Sequence, residues 1–120
     1  MEIRERAVGA VTVLDPVGKL VLSEEDHDTR LKDTIVRLIE QGRMRFVLDL
    51  AHVLQADTSG LALLVAAQVT VVKRGGQLKL LNPTTRLRNM FGVTRLNTFF
   101  EVFDTEQSAI DSFIPEQPGA

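Results

Sequence analysis

Cysteine is absent from this chain, which excludes disulfides, thiol catalysis and thiolate metal sites together and permits a reducing compartment. Histidine is scarce, His27 and His52 being the only imidazoles in 120 residues. His27 stands among Glu24, Glu25, Asp26 and Asp28. Neighbouring charges at that spacing diverge instead of converging on an ion, so the run reads as an acidic approach to a helix N-terminus, where carboxylates complement the dipole. His52 follows a strand end, has no nucleophile beside it and reads as a loop residue. There is no glycine-lysine phosphate loop, no dinucleotide glycine fingerprint and no zinc helix motif. With so few groups able to do chemistry, neither a catalytic residue nor a metal or cofactor is expected. No apolar run reaches membrane-spanning length, and the start Met1-Glu2-Ile3-Arg4-Glu5-Arg6 is charged and unlike a signal peptide. The expected location is cytoplasmic. A net charge of −2 supplies no electrostatic footprint for nucleic acid. Arg86, Arg88 and Arg95 form a modest local basic cluster, read as a solvated face in preference to a phosphate-binding patch.

What is present is ordinary for a folded domain: 44% hydrophobic and 25% charged residues, a balance that predicts order except at the ends. No repeat, low-complexity tract or linker divides the chain, so one domain is expected over residues 1–114, with 115–120 a frayed tail. Val11 to Leu14 and Lys19 to Leu22 are short strand candidates, and Asp15-Pro16-Val17-Gly18 between them has turn chemistry, which predicts a hairpin. From Asp28 to Gln41, Leu31, Ile35, Leu38 and Ile39 recur at helical spacing, and Gly42 stops the helix. Phe46 to Leu50 is an apolar strand able to be covered on both faces. Leu61 to Val72 is an apolar helix buried on most of its circumference, with Leu61, Leu64, Val65 and Val72 expected in the core. It ends at Lys73-Arg74 before Gly75-Gly76. Gln77 to Leu81 is a strand, Asn82-Pro83 opens a short helix to Phe91, Phe99 to Phe103 is a strand, and Glu106 to Phe113 is a closing helix. Strand and helix alternate, which predicts an α/β fold with a mixed sheet.

The informative residues are Asp57-Thr58-Ser59-Gly60, at the junction between buried strand and apolar helix. Unpaired backbone N–H groups and the positive dipole end meet there, and Asp, Thr and Ser are all favoured as caps. One reading is that Thr58 and Ser59 simply cap the helix. A second makes Asp57 a phosphoacceptor carboxylate, as in receiver domains, but the first strand offers only Asp15 as an acidic companion. A third makes one of the hydroxyls the acceptor of a phosphoryl group.

With these residues in place the sequence resembles the anti-sigma factor antagonists, whose fold is the STAS (sulfate transporter and anti-sigma factor antagonist) domain. The resemblance is carried by the run from Phe46 through Asp57-Thr58-Ser59-Gly60 to Leu64. It extends through Gly75 to Leu80, Asn82-Pro83, Val93 to Leu96, and Phe99 to Ala109. It implies a STAS-type mixed sheet of about four or five strands packed with about four helices. It also implies a non-catalytic switch, which when unphosphorylated binds an anti-sigma factor of the serine/threonine kinase type and releases the sigma factor. Phosphorylation of the hydroxyl after the aspartate, Thr58 here with Ser59 as alternate, ends that binding, and a metal-dependent phosphatase resets it. Asp57, Thr58, Ser59 and Gly60 are then the phosphosite loop and part of the partner surface. The other function the resemblance implies is a STAS scaffold subunit of a stress-signalling assembly or of a lipid transporter complex. Where the family often has glycine-glutamate-leucine-aspartate on the second strand, this chain has Gly18-Lys19-Leu20-Val21. Its partner surface is therefore expected to carry two fewer acids and one more cation.

Overall fold

The computed structural model describes residues 2–21 and 30–113. The acidic run around His27 and the tail 115–120 lie outside the described residues. Among the described residues, six strands and four α-helices follow in the order β1 (Glu2–Val8), β2 (Val11–Leu20), α1 (Arg30–Glu40), β3 (Arg45–Asp49), β4 (Val53–Ala56), α2 (Thr58–Lys73), β5 (Gln77–Leu81), α3 (Thr85–Thr94), β6 (Val102–Phe103) and α4 (Glu106–Asp111), with a 3₁₀ turn at Leu96–Thr98 before β6. The sheet runs β1-β2-β3-β5-β6, antiparallel between β1 and β2 and parallel thereafter. The mixed α/β architecture matches the expectation, with one strand more than the upper figure.

The hairpin expected between residues 11 and 22 is not formed. Val11 to Leu20 is one continuous strand whose antiparallel partner is the charged N-terminal segment, with Glu2 opposite Val17 and Val8 opposite Val11. Glu2, Arg4, Glu5 and Arg6 hide β1 from a hydrophobicity count, yet charges are what an edge strand carries to discourage further pairing. Asp15-Pro16-Val17 lies in a gap of the parallel pairing. Val11–Leu14 face β3, while Gly18–Leu20 face β4 after a register shift at Gly18/Lys19. Along this side of β2 no ladder bond is demanded of Pro16, which lacks the N–H to make one.

Alternation along the strands sorts side chains to two faces. Leu14, Phe46, Leu48, Leu78 and Leu80 join Leu31, Ile35, Leu38, Leu61, Leu64, Ala67, Val71, Leu87 and Phe91 in the main core beneath α1, α2 and α3. Val11, Val13, Val47 and Leu81 point the other way, to Ala109 and Phe113 of the C-terminal segment. Lys79 is also on that face, only 6% exposed. Its Nζ donates to Ser112 O at 3.2 Å and Ser112 Oγ at 2.8 Å, pairs with Glu101 at 3.2 Å, and stands 4.5 Å from the Phe113 ring centroid. A buried ammonium with these partners satisfies the rule that interior charges be paired.

Three further expectations are corrected. Val72 is 57% exposed, and Val65 is only partly buried, because α2 buries one face through Leu61, Leu64, Ala67 and Val71. The helix after Pro83 begins later and ends later than expected, at Thr85 and Thr94, with Thr84 as its cap accepting from Leu87 N at 3.3 Å. The segment 99–103 is strand only at Val102–Phe103. Phe100 instead turns inward against Phe91, ring centroids 5.8 Å apart.

Candidate functional site

The four motif residues stand at the junction of β4 and α2. Strand β4, to which the sequence reading assigned no element, lies parallel to the end of β2, with Ala56 opposite Leu20. Only Val53 and Ala56 of its four residues are buried, too few to reveal a strand by alternation. It delivers the chain to Asp57 in extended conformation (φ −131°, ψ −172°), and Asp57 is the N-cap of α2. Its Oδ1 accepts from Gly60 N at 3.1 Å and also from the Ser59 hydroxyl. The Ser59 hydroxyl, with the Gly60 amide behind it, holds the Asp57 carboxyl below its ordinary range.

This geometry separates the two hydroxyls. Ser59 is half-buried and spends its proton on the cap. Thr58 is the first residue of the helix and exposed, and its Oγ1 has no hydrogen-bond partner among the described residues. The cap is thus Asp57, with Ser59 supporting it, and not Thr58. Among the described residues, no metal-ligating cluster includes Asp57. Asp15 is instead hydrogen-bonded to His52 Nδ1 at 3.0 Å.

Gly60 has a steric reason. A Cβ built there lies 2.0 Å from the Leu20 carbonyl oxygen. Helix α2 therefore starts in direct backbone contact with the end of β2, an approach that only glycine permits. Gly76 plays a similar part at the other end of α2, its Cβ direction meeting Met44 O at 2.5 Å and the Val71 side chain at 2.9 Å.

Beside Thr58 lies an open groove of about 570 Å³ lined by Asp57, Thr58, Arg86, Asn89 and Met90. Arg86 Nε donates to Ala56 O at 3.2 Å, bracing the end of β4 from α3. Sequence reading placed Arg86 with Arg88 and Arg95 in one solvated cluster, but their roles diverge. Arg88 binds Pro83 O at 3.2 Å and Asp104 at 2.6 Å, and Arg95 ends α3 in the left-handed region (φ 61°). Asn89 carried no signal in the sequence. Arg86 and Asn89 are brought to Thr58 by the packing of α3, about thirty residues away in sequence.

His52 also has company that its neighbours in sequence do not reveal. Asp15, Asp49 and His52 each offer a ligand atom within 4.8 Å of the others. Asp49 accepts from Ala51 N at 3.1 Å, closing the turn between β3 and β4. This cluster therefore has a local explanation in turn geometry and one His–Asp contact. No helix among the described residues is long and apolar enough to cross a membrane.

The family model of the STAS domain matches residues 6–109. The chain belongs to the STAS domain family. Among solved structures, this STAS domain is similar to a candidate anti-sigma factor antagonist from Thermotoga maritima, with 21% identity, 92% of each chain covered and a TM-score of 0.80. Bacillus SpoIIAA, an anti-sigma factor antagonist, is similar in its unphosphorylated form (21% identity, 96% of this chain and 100% of that one, TM-score 0.71) and in its phosphorylated form (22% identity, 92% and 98%, TM-score 0.69). A sulfate transporter family protein from Wolinella succinogenes is 24% identical over 89% of this chain and 88% of its own, with a TM-score of 0.72. No curated protein sequence matches this one. At these identities the likeness is one of fold, and the STAS fold serves both antagonist and transporter proteins.

Proposed function

We propose that this STAS domain is a cytoplasmic anti-sigma factor antagonist whose partner affinity is set by phosphorylation of Thr58. The observation that carries the reading is the contrast at the start of α2. Thr58 offers an exposed hydroxyl without a partner among the described residues, while its neighbour Ser59 is tied to Asp57. As the first residue of the helix, Thr58 donates no intrahelical backbone bond that a phosphate would break. A phosphate adds roughly −1.5 to −2 charges beside Asp57 and at the edge of any surface that covers the motif. The dipole tolerates that charge, so the fold persists while an acidic partner surface is repelled. A coupling of about 1–3 kcal/mol changes affinity roughly 5–150-fold, enough for a switch. The fold's compatibility with such a modification is supported by SpoIIAA, whose unphosphorylated and phosphorylated forms both resemble this chain.

On this reading the partner is an anti-sigma factor with serine/threonine kinase activity, a metal-dependent phosphatase reverses the modification, and the STAS chain itself is no catalyst. The deciding experiment mixes the purified kinase-type anti-sigma factor from the same genome with wild type, Thr58→Ala, Ser59→Ala and Thr58→Glu. Phosphate incorporation that survives Ser59→Ala and disappears in Thr58→Ala, with binding weakened by Thr58→Glu, supports the proposal. Equal incorporation in Thr58→Ala sinks it. The similarity to a transporter family protein keeps a scaffold role as the second reading; it predicts capture of a transporter or signalling complex to the same extent by wild type and Thr58→Glu.

A further inference from the structure

We propose that the phosphoryl group on Thr58 is received within the same chain by Arg86, with Asn89 beside it, so that α3 acts as a latch for the phosphorylated state. The inference rests on the reading of Thr58 as the phosphorylated residue and adds a regulatory contact to it. Its basis is the groove shared by Asp57, Thr58, Arg86, Asn89 and Met90. Asp57 and Arg86 are the charged groups that line it, and no ion pair joins them among the described residues. The Asp57 carboxylate is engaged by Ser59 and by the Gly60 amide. Arg86 is held through Nε by the Ala56 carbonyl, two residues before Thr58, while its terminal nitrogens have no partner among the described residues. Arg88, two positions on, is by contrast already paired with Asp104.

A guanidinium fixed at Nε still presents its two terminal nitrogens as a fork, the geometry that suits two oxygens of one phosphate. Asn89 lies three residues along α3, hence on the same helix face, and its amide supplies further N–H donors. Unphosphorylated, the groove holds a cation whose counter-charge is committed elsewhere. Phosphorylated, it holds a dianion opposite that cation. The latch stabilises the dianion over the monoanion and draws the phosphothreonine against α3.

The test uses the whole chain carrying phosphothreonine at position 58, installed by genetic encoding so that no kinase is needed. Phosphorus NMR follows the second ionisation of the phosphate, and nitrogen-detected NMR follows the arginine side chains. In Arg86→Gln the phosphate ionisation is expected to rise by about 0.5–1 pH unit, a roughly 3–10-fold change in the constant, with Arg86→Lys between the two. In the wild type the Arg86 Nη signals should move on phosphorylation and those of Arg88 should stay. The same phosphate titration in wild type and Arg86→Gln, or motionless Arg86 signals in the wild type, overturns the latch; the second readout needs no substitution. A purely structural role for Arg86 would lower the melting temperature of Arg86→Gln equally with and without the phosphate. The latch instead requires a larger loss in the phosphorylated chain. Partner affinity separates the two proposals. If phosphorylation weakens binding but the titrations coincide, the switch stands and the latch falls. If the titrations differ but binding is unchanged, the phosphate contact stands and the antagonist switch falls.

Discussion

Replacing Gly60 by alanine tests whether the motif glycine is there for packing. The added Cβ would sit 2.0 Å from Leu20 O, whereas real Cβ contacts essentially never fall below 3.0 Å. Relief therefore needs about 1 Å of movement between two backbones, and neither has a flexible side chain to yield instead. Leu20 is fully buried and paired with Ala56, so the displacement strains the β2–β4 junction and the Asp57 cap together. Overpacking of this kind costs about 2–3 kcal/mol. For a chain of this size that is a fall of roughly 6–15 °C in melting temperature, or about 1–2 M in the urea midpoint. The control is Gly92→Ala. Gly92 is exposed within α3 and a Cβ there meets nothing within 4 Å, so helix propensity should raise stability by about 0.5–1 kcal/mol. Calorimetry and urea titration of both variants decide the matter. Gly60→Ala melting at or above the wild-type temperature would refute the close-approach argument.

Thr58→Glu and Thr58→Ala should each change folding stability by less than about 0.5 kcal/mol, because the side chain is exposed and unpartnered; a larger shift in a melting curve would mean that Thr58 carries structure. Leu64→Asp should cost about 4 kcal/mol or more by placing an unpaired charge at a fully buried position, and a soluble variant with wild-type circular dichroism and melting would contradict the core assignment. Asp57 has a folded ionisation below its ordinary 3.8, so its cap contribution is fully present above that value and is lost as pH falls through the lower, folded value. Melting temperatures of wild type and Asp57→Asn should accordingly differ near neutral pH and approach each other below 3.8; a gap that persists or widens on acidification would contradict the assignment.

Much of this was readable because burial leaves a period in the sequence. Leu31, Ile35, Leu38 and Ile39 of α1 are all buried, as their spacing predicts, and the central strands Arg45–Asp49 and Gln77–Leu81 lie where apolar runs place them. β1 and β4 left no such trace, and β2 was read as two pieces. β1 is an edge strand whose charges look like an unstructured start, β2 contains a proline that reads as a turn until its interrupted partners are known, and β4 buries two residues. The outer surface of α2 was misread for a related reason. Ala62, Ala66, Val69 and Val72 are exposed, and apolar character alone does not say which side faces the core. At the site, local chemistry pointed to Asp57-Thr58-Ser59-Gly60, while the close approach that requires Gly60 was visible only in the structure. The division of labour between the two hydroxyls required coordinates, and so did the arrival of Arg86 and Asn89 from another helix.

The two faces of the sheet carry different obligations. Thr58 and α2 belong to the face that holds the large core, while α4 packs on the opposite face against β5 and β6, secured by Lys79. A fluorophore attached to the exposed side of α4 therefore loads the side of the molecule farther from the motif. The charged edge of β1 borders β2, whose far end supports the first turn of α2. For immobilised binding measurements, the point of attachment is thus a physical variable, and α4 is the site that leaves the strand beneath Thr58 untouched.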